Sequence, residues 1–565
     1  MEKRALIAIV LSFLVLYVFQ TYFLPKPPEE NGNPVTTSVN DTDKLTNVAK
    51  KPVKKESYNI KKNLVKIVNK NSESYSDKIT APVKGEITLE NSLFKGNLVT
   101  PGGGLREFLL KKYKETIKED SKNVFLVGKE GSYYWEIVVN GQKFDALPFT
   151  MNTNNTDEIT LKSSNDIFDI ENRIQYSSDK YNFQSKFNYS NNLSKAVDLQ
   201  IFLVLKKLVP VNAESTRYAF EGSMVDVDGS IKKFSLKDFK KDKEAIYSGN
   251  INWAGFTDQY FLTAVIFPST IKPVIKLSEV NDRLLKMRVN IFNKPIDAGQ
   301  KVAVNLQYFL GPKKLSILKD VNNELSKAVD FGWSGIVAKP ILALMNLFNI
   351  LFHNYGWSII FMTILIKLLF YPLTYKGFSS MAKLKDVQPL MEDIKKRYAD
   401  DKEKMNKEIM ELYKKNKVNP MGGCLPTLVQ IPIFIALYYV LLKAIELRQA
   451  PFIWWINDLS AAEVLFYLKL GASSFPVRIL PVIMGISMYA QQKLTPTATD
   501  KNQQMLFAML PVVFTFLFYS LPSGLMVYWF TNNLVTIIQQ LMINKSLEKK
   551  KMANGSAKIV KKGKK

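Results

Sequence analysis

Cysteine and histidine are nearly absent from this 565-residue chain, where Cys424 and His353 each stand alone. A single cysteine excludes any intrachain disulfide. With no histidine or acid beside it, Cys424 reads as a small packing residue. A single histidine excludes a His-based metal cluster and most His-dependent catalysis. His353 is expected at a helix end near a membrane surface. Carboxylates are scarce in a more telling way: the long apolar runs of the second half contain no plain Asp or Glu. No carboxylate pair or metal-ligand spacing stands out elsewhere. These absences point away from an enzyme and from any cofactor.

What the apolar runs do contain is one fixed positive charge. In GWSIIFMTILIKLLFYPLTYK, Lys367 follows about ten mostly apolar residues and precedes a shorter apolar run. A charge at the centre of a membrane helix costs roughly 2.5–3.5 kcal/mol on insertion scales, so it should face a wet cavity and not lipid. Thr363, Lys367, Tyr371 and Thr374 recur at helical spacing and would share a face. Trp357, Tyr371 and Tyr375 supply interfacial anchors. The plainer alternative is a lysine snorkelling to the inner interface.

The overall charge is +26, with 47% hydrophobic residues segregated into apolar and polar blocks. Residues 1–24 read as an uncleaved transmembrane anchor. Lys3 and Arg4 precede the apolar run and hold the N-terminus in the cytoplasm. Residues 25–85, rich in Pro, Asn, Lys, Ser and Thr, read as a flexible linker outside the cytoplasm. From 86 to about 315 the period becomes two. Tyr181, Phe183, Phe187 and Tyr189 alternate with polar residues. So do Val197 to Leu203, Leu285 to Ile291, and Val302 to Tyr308. This predicts an antiparallel β-sandwich domain, closed by a helical stretch to about 330.

Residues 331–375 hold a surface-lying helix, ILALMNLFNILF from Ile341, judged too short to span, and then the span bearing Lys367. Residues 376–420 carry Leu384, Val387, Met391, Ile394 and Tyr398 at steps of three and four, then Met405, Ile409 and Leu412. With Asp400–Asp401 between the halves, they predict a cytoplasmic helical hairpin, acting on partners or as a solvated spacer. Residues 421–544 hold four further spans, one starting near 476. The block from Gln504 to Ile543 divides in two at Pro522-Ser523-Gly524, because one helix of that length would run about 60 Å. The prediction is a polytopic α-helical membrane protein with six spans. The basic tail at 545–565 would then lie in the cytoplasm. Such a tail suits RNA or acidic lipid, and serves equally as a solvated marker of topology.

Polar residues recur within the spans. Gln430, Phe434 and Tyr438 share one face. Trp529, Asn532, Asn533, Thr536 and Gln540 form a polar-aromatic stripe. Such groups often only bond between helices, for about 0.6 kcal/mol each. An ammonium with no carboxylate to pair with needs water and amide oxygens, which argues for a hydrated groove among the last five helices.

The segments FYPLTYKGFSSMAKLKDVQP, KVNPMGGCLPTLVQIPIFIALYY, ELRQAPFIWWINDLS, LPSGLMVYWF and NNLVTIIQQ closely resemble the YidC family of membrane protein insertases. The resemblance is nearly continuous over about residues 330–545. The first span and the β-domain resemble its Gram-negative form. The resemblance implies a five-helix core in the bacterial inner membrane, a groove open to cytoplasm and lipid, and a β-domain in the periplasm that is accessory. Clients would be nascent membrane proteins, inserted alone or beside the Sec translocon. The tail would contact the ribosome, and the helices membrane lipids. Lys367, Thr363, Gln430, Asn532, Asn533 and Thr536 would form the client-binding groove. Ile431, Phe434 and Trp529 would form an apolar slide. Lys367 departs from the family, which usually has Arg there; it keeps the charge and loses the planar fork. Two other classes compete. An ion or small-molecule transporter would use Lys367 as a titrating site, but no second copy of its span is found. An envelope-binding protein would use only the sandwich and would have no reason to carry Lys367.

Overall fold

The computed structural model describes residues 85–562 except 101, 130, 146, 156, 210–219, 240–243, 282, 417–424, 471–472 and 495–500. The expected anchor at 1–24, nearly all of the linker and Cys424 lie outside the described residues.

Alternation builds the first half as expected. Strands from Gly85 to Pro312 form a ten-stranded and a nine-stranded sheet, and every pairing is antiparallel. In the nine-stranded sheet, Asn182–Asn191 pairs with Lys301–Pro312, setting Phe187 opposite Val304 and Tyr189 opposite Val302. In the other, Val197–Leu208 pairs with Leu284–Ile296, setting Leu203 opposite Val289 and Leu205 opposite Met287. All of these side chains are buried. A slip of one residue would turn each row outward, so burial fixes the register. Trp135 stacks on Phe187 with ring centroids 4.2 Å apart, joining one sheet to the other.

A short helix, α1 (Leu236–Phe239), interrupts the strands, and α2 (Leu315–Val321) follows the last one. The chain then turns through Asn323–Ala328 and Gly332–Ser334 into α3 (Gly335–Phe352). This helix starts six residues before Ile341. With its lead-in from Gly332 it is long and apolar enough to cross a membrane, a length the sequence reading did not give it. The helix includes Pro340 in its second turn, where a proline usually marks a boundary. His353 ends α3 in a left-handed cap (φ 52°), and Asn354 caps α4 (Tyr355–Leu369) by accepting from the Gly356 and Trp357 amides.

Next, α5 (Tyr371–Arg397) starts with no loop between it and α4, and the two axes differ by 65°. Pro372 explains the bend: it offers no N–H to the preceding turn and its ring crowds that turn's carbonyl. The bend also breaks the expected face, because Tyr371 and Thr374 belong to a different helix from Thr363 and Lys367. After the Asp400–Asp401 turn comes α6 (Lys402–Lys415), with Asp401 accepting from the Lys404 amide at 2.9 Å. Val387 and Met391 are buried in the hairpin, and the Tyr413 hydroxyl lies 3.0 Å from Met391 Sδ.

The remaining helices are α7 (Leu425–Lys443), α8 (Leu480–Leu494), α9 (Lys501–Leu517) and α10 (Ser523–Lys562). The break before α10 falls at the Pro522 turn, as the sequence predicts. The helix expected from about 476 to 493 is present but shifted to Leu480–Leu494, because a β-hairpin, Phe466–Leu470 with Ser473–Val477, takes its first residues. Helix starts only at Leu480, whose amide donates to buried Glu463. Among the described residues, α4 and α5 together pass as one bent apolar pair, and Leu428–Lys443 and Ala508–Leu517 are shorter apolar segments. Large apolar side chains stand exposed on these helices, among them Leu351, Leu369, Ile486, Val512 and Phe516. So extensive an apolar surface on a folded chain calls for a nonaqueous neighbour.

Candidate functional site

Lys367 lies near the C-terminal end of α4 and reaches across to two other helices. Its Nζ donates to Thr536 Oγ1 on α10 at 2.8 Å and to Gln430 Oε1 on α7 at 3.4 Å. The first is a good charged hydrogen bond, and the second is long enough to be weak. Thr536 can accept because its own hydroxyl proton goes to the Asn532 carbonyl one turn back, at 2.6 Å. Gln430 can accept through its oxygen because its amide is turned to the Tyr528 hydroxyl, at 3.4 Å. From behind, Gln539 Nε2 donates to the Lys367 carbonyl at 3.1 Å. Among the described residues, no carboxylate forms an ion pair with Lys367. The half-buried ammonium is held by neutral oxygens alone.

The other polar residues of the expected groove have different bonds. Thr363 is buried one turn before Lys367, and its hydroxyl donates to the Ile359 carbonyl at 2.6 Å. Asn533 is buried against α8, where Nδ2 donates to Ser487 Oγ at 2.8 Å. Gln540 reaches the Leu494 carbonyl at 2.7 Å. Asn532 is buried, and its Oδ1 has no protein partner among the described residues; the same holds for Gln539 Oε1. Two orphaned amide oxygens beside a lysine with spare protons are places for water.

Beside this polar strip is an aromatic one. Phe434 meets Trp529 edge-on at 4.9 Å, and Phe518 meets Trp529 at 5.0 Å. Phe514 lies 6.0 Å from the same ring. Ile431 is exposed at 47%, one turn from Phe434 on α7. The result is a charged, amide-lined seam adjoining an apolar aromatic surface between α7, α9 and α10.

A family model described as the YidC periplasmic domain matches residues 86–344, and one described as the 60Kd inner membrane protein matches residues 347–551. The membrane protein insertase YidC of Geotalea uraniireducens is 35% identical over 559 residues, covering 97% of this chain and all of that relative. The chain belongs to the YidC family of membrane protein insertases. The corresponding insertase of Pelobacter propionicus is 36% identical, with 96% of this chain and 99% of the relative covered. A crystal structure of an active YidC insertase with its first transmembrane domain resolved is 20% identical. It covers 80% of this chain and 91% of that one at a TM-score of 0.36. The antiparallel β-domain is thus the family's periplasmic domain, carried by an inner-membrane insertase.

Helical facing alone does not reach two members of the network around Lys367. Tyr528 stands two turns before Thr536 on α10 and joins through Gln430, whose amide donates to its hydroxyl. Gln539 sits off the face on which Gln540 was counted, and only the crossing of α4 over α10 brings it to the Lys367 carbonyl.

Proposed function

We propose that this insertase crosses the inner membrane six times, with both termini in the cytoplasm, and inserts nascent membrane proteins through the seam around Lys367. The spans would be the N-terminal anchor and α4, α7, α8, α9 and the apolar part of α10, with α3 along the outer surface. The observation that carries the mechanism is the Lys367 ammonium, bonded to Thr536 and Gln430 with no ion-pair partner among the described residues. A client's polar or acidic outer segment would enter beside that charge, where water and amide oxygens lower its desolvation cost. Its apolar helix would leave sideways over Ile431, Phe434 and Trp529, driven by roughly 25 cal/mol for each Å² buried. One large barrier thereby becomes several smaller ones, and no covalent step is needed. The hairpin of α5 and α6 would receive clients, the basic end of α10 would contact the ribosome, and the Sec translocon would share larger clients.

The test uses pairs of short clients differing only in the charge of the translocated segment, inserted into liposomes holding the purified protein. Lys367→Ala should slow the acidic client about tenfold or more and the neutral one little. A unit charge pair near 6 Å is worth about 3 kcal/mol at an effective dielectric of 20, and less where water enters. Lys367→Arg should be nearly neutral, and Lys367→Glu worse than Ala. Equal losses for both clients would mean that the charge hydrates the seam without selecting charge. No loss for either would leave Lys367 a snorkelling residue.

A further inference from the structure

The β-domain meets the membrane helices at a junction crowded with lysines. Lys443, the last residue of α7, donates to the Asp330 carbonyl at 2.7 Å, and Lys233 pairs with the Asp330 carboxylate at 2.7 Å. Lys313, just after the last strand of the sandwich, is 9% exposed and donates to the Asp258 carbonyl at 2.6 Å. Lys207 lies 3.8 Å from the Asp258 carboxylate. Lys233, Lys313, Lys443 and Asp330 line one small cavity of about 40 Å³ that opens to solvent.

The charges here do not balance. Four ammonium groups face Asp258, Asp330 and Glu221. One Asp258 oxygen is taken by the Tyr260 and Phe261 amides, and one Asp330 oxygen by the Gly332 amide. Burial holds the Glu221 carboxyl above the ordinary carboxylate range, which weakens it as a counter-charge. Burial pushes Lys313 down to about 8, Asp258 opposes this, and Lys443, Lys207 and Lys233 add to it. A buried lysine bonded to a carbonyl, among three like charges and beside an open cavity, has only the shared Asp258 carboxylate nearby and no direct ion pair among the described residues.

We propose that this junction binds a phosphate group, with Lys313, Lys443 and Lys233 as its ligands. Each lysine has protons beyond those used in the bonds above, and each can turn one toward a tetrahedral anion. Two sources share the chemistry: the headgroup of an anionic phospholipid and free phosphate. The site adjoins the end of α7 away from the hairpin of α5 and α6, which on the topology proposed above lies at the level of the outer-leaflet headgroups. A bound headgroup would tie the periplasmic domain to the bilayer beside the insertion core. The inference does not depend on how clients use Lys367.

The full chain, purified in detergent, is titrated near pH 8 with dihexanoyl phosphatidylglycerol, dihexanoyl phosphatidylcholine and inorganic phosphate. Heats are measured in two buffers of different ionisation enthalpy. Phosphatidylglycerol should bind with proton uptake, because an anion raises Lys313 back toward its ordinary value, and phosphatidylcholine should bind less tightly. Lys443→Gln, at a half-buried helix end, should weaken binding about tenfold. Lys313→Arg should keep affinity but lose the proton uptake, and Lys313→Met should lose both. Lysine-dependent binding of phosphatidylglycerol alone identifies a lipid headgroup, whereas equal binding of inorganic phosphate shows that the phosphate group suffices. Affinities unchanged by Lys443→Gln and Lys313→Met overturn the proposal.

Discussion

Replacing Lys367 by methionine should make the protein more stable and a worse insertase. Methionine keeps the apolar stem and removes the charge. The variant loses the 2.8 Å bond to Thr536, and a bond to a charged donor is worth about 1.5–3 kcal/mol. The 3.4 Å contact with Gln430 contributes little. Thr536 is not orphaned, because its hydroxyl still donates to the Asn532 carbonyl. Against these losses, an ammonium drawn from water without a counter-ion carries a penalty of several kcal/mol, which methionine abolishes. The balance favours methionine by about 1 kcal/mol, which in a chain of this size raises the melting temperature by about 1–2 °C. The measurement is thermal unfolding of the full chain in detergent, followed by tryptophan fluorescence, in parallel with liposome insertion of an acidic client. A melting temperature lowered by more than about 5 °C would refute the reasoning and make Lys367 a strut between α4, α7 and α10.

Gly485→Ala should cost about 1–3 kcal/mol, since its new Cβ would stand 2.1 Å from Thr515 Oγ1, which is itself bonded to the Pro511 carbonyl. Adding Thr515→Ala should recover most of the loss in the same melt, and failure to recover would place the strain elsewhere. Truncation of 545–565 should weaken ribosome co-sedimentation and flatten its dependence on salt, because lysine contacts to RNA phosphates release counterions. A salt series that superimposes on that of the intact chain would leave the tail as a topology signal only.

The sandwich was legible because a period of two states both the element and its buried face: Phe187, Leu203, Met287 and Val304 are inside as their alternation requires. The Asp400–Asp401 turn and the Pro522 break were legible for a similar reason, each being a local signal read locally. The hairpin at Phe466–Val477 was not legible. Phe466, Tyr467, Leu468 and Phe475 are all exposed, so no alternation of burial marks those strands. Helical spacing put Thr363 beside Lys367 and Asn533 beside Asn532. Spacing says which residues share a face but not which neighbour that face meets. Asn533 goes to Ser487 on α8 and Thr363 to its own backbone. The 65° bend at Tyr371-Pro372 likewise lies in how two helices join, and a pattern of apolar residues continues straight through it.

That bend makes the hairpin of α5 and α6 a lever instead of a tethered arm. The span bearing Lys367 ends at Leu369 and the hairpin's first helix begins at Tyr371, leaving a single residue, Phe370, as fulcrum. A slack linker would absorb a tug on the hairpin's tip. Here a torque would reach a joint three residues from Lys367, along a continuous helix of 27 residues, or about 40 Å, with Pro389 as its one interior weak point. On the proposed function, cargo pressing on the far end would be coupled to the charge before it came near it.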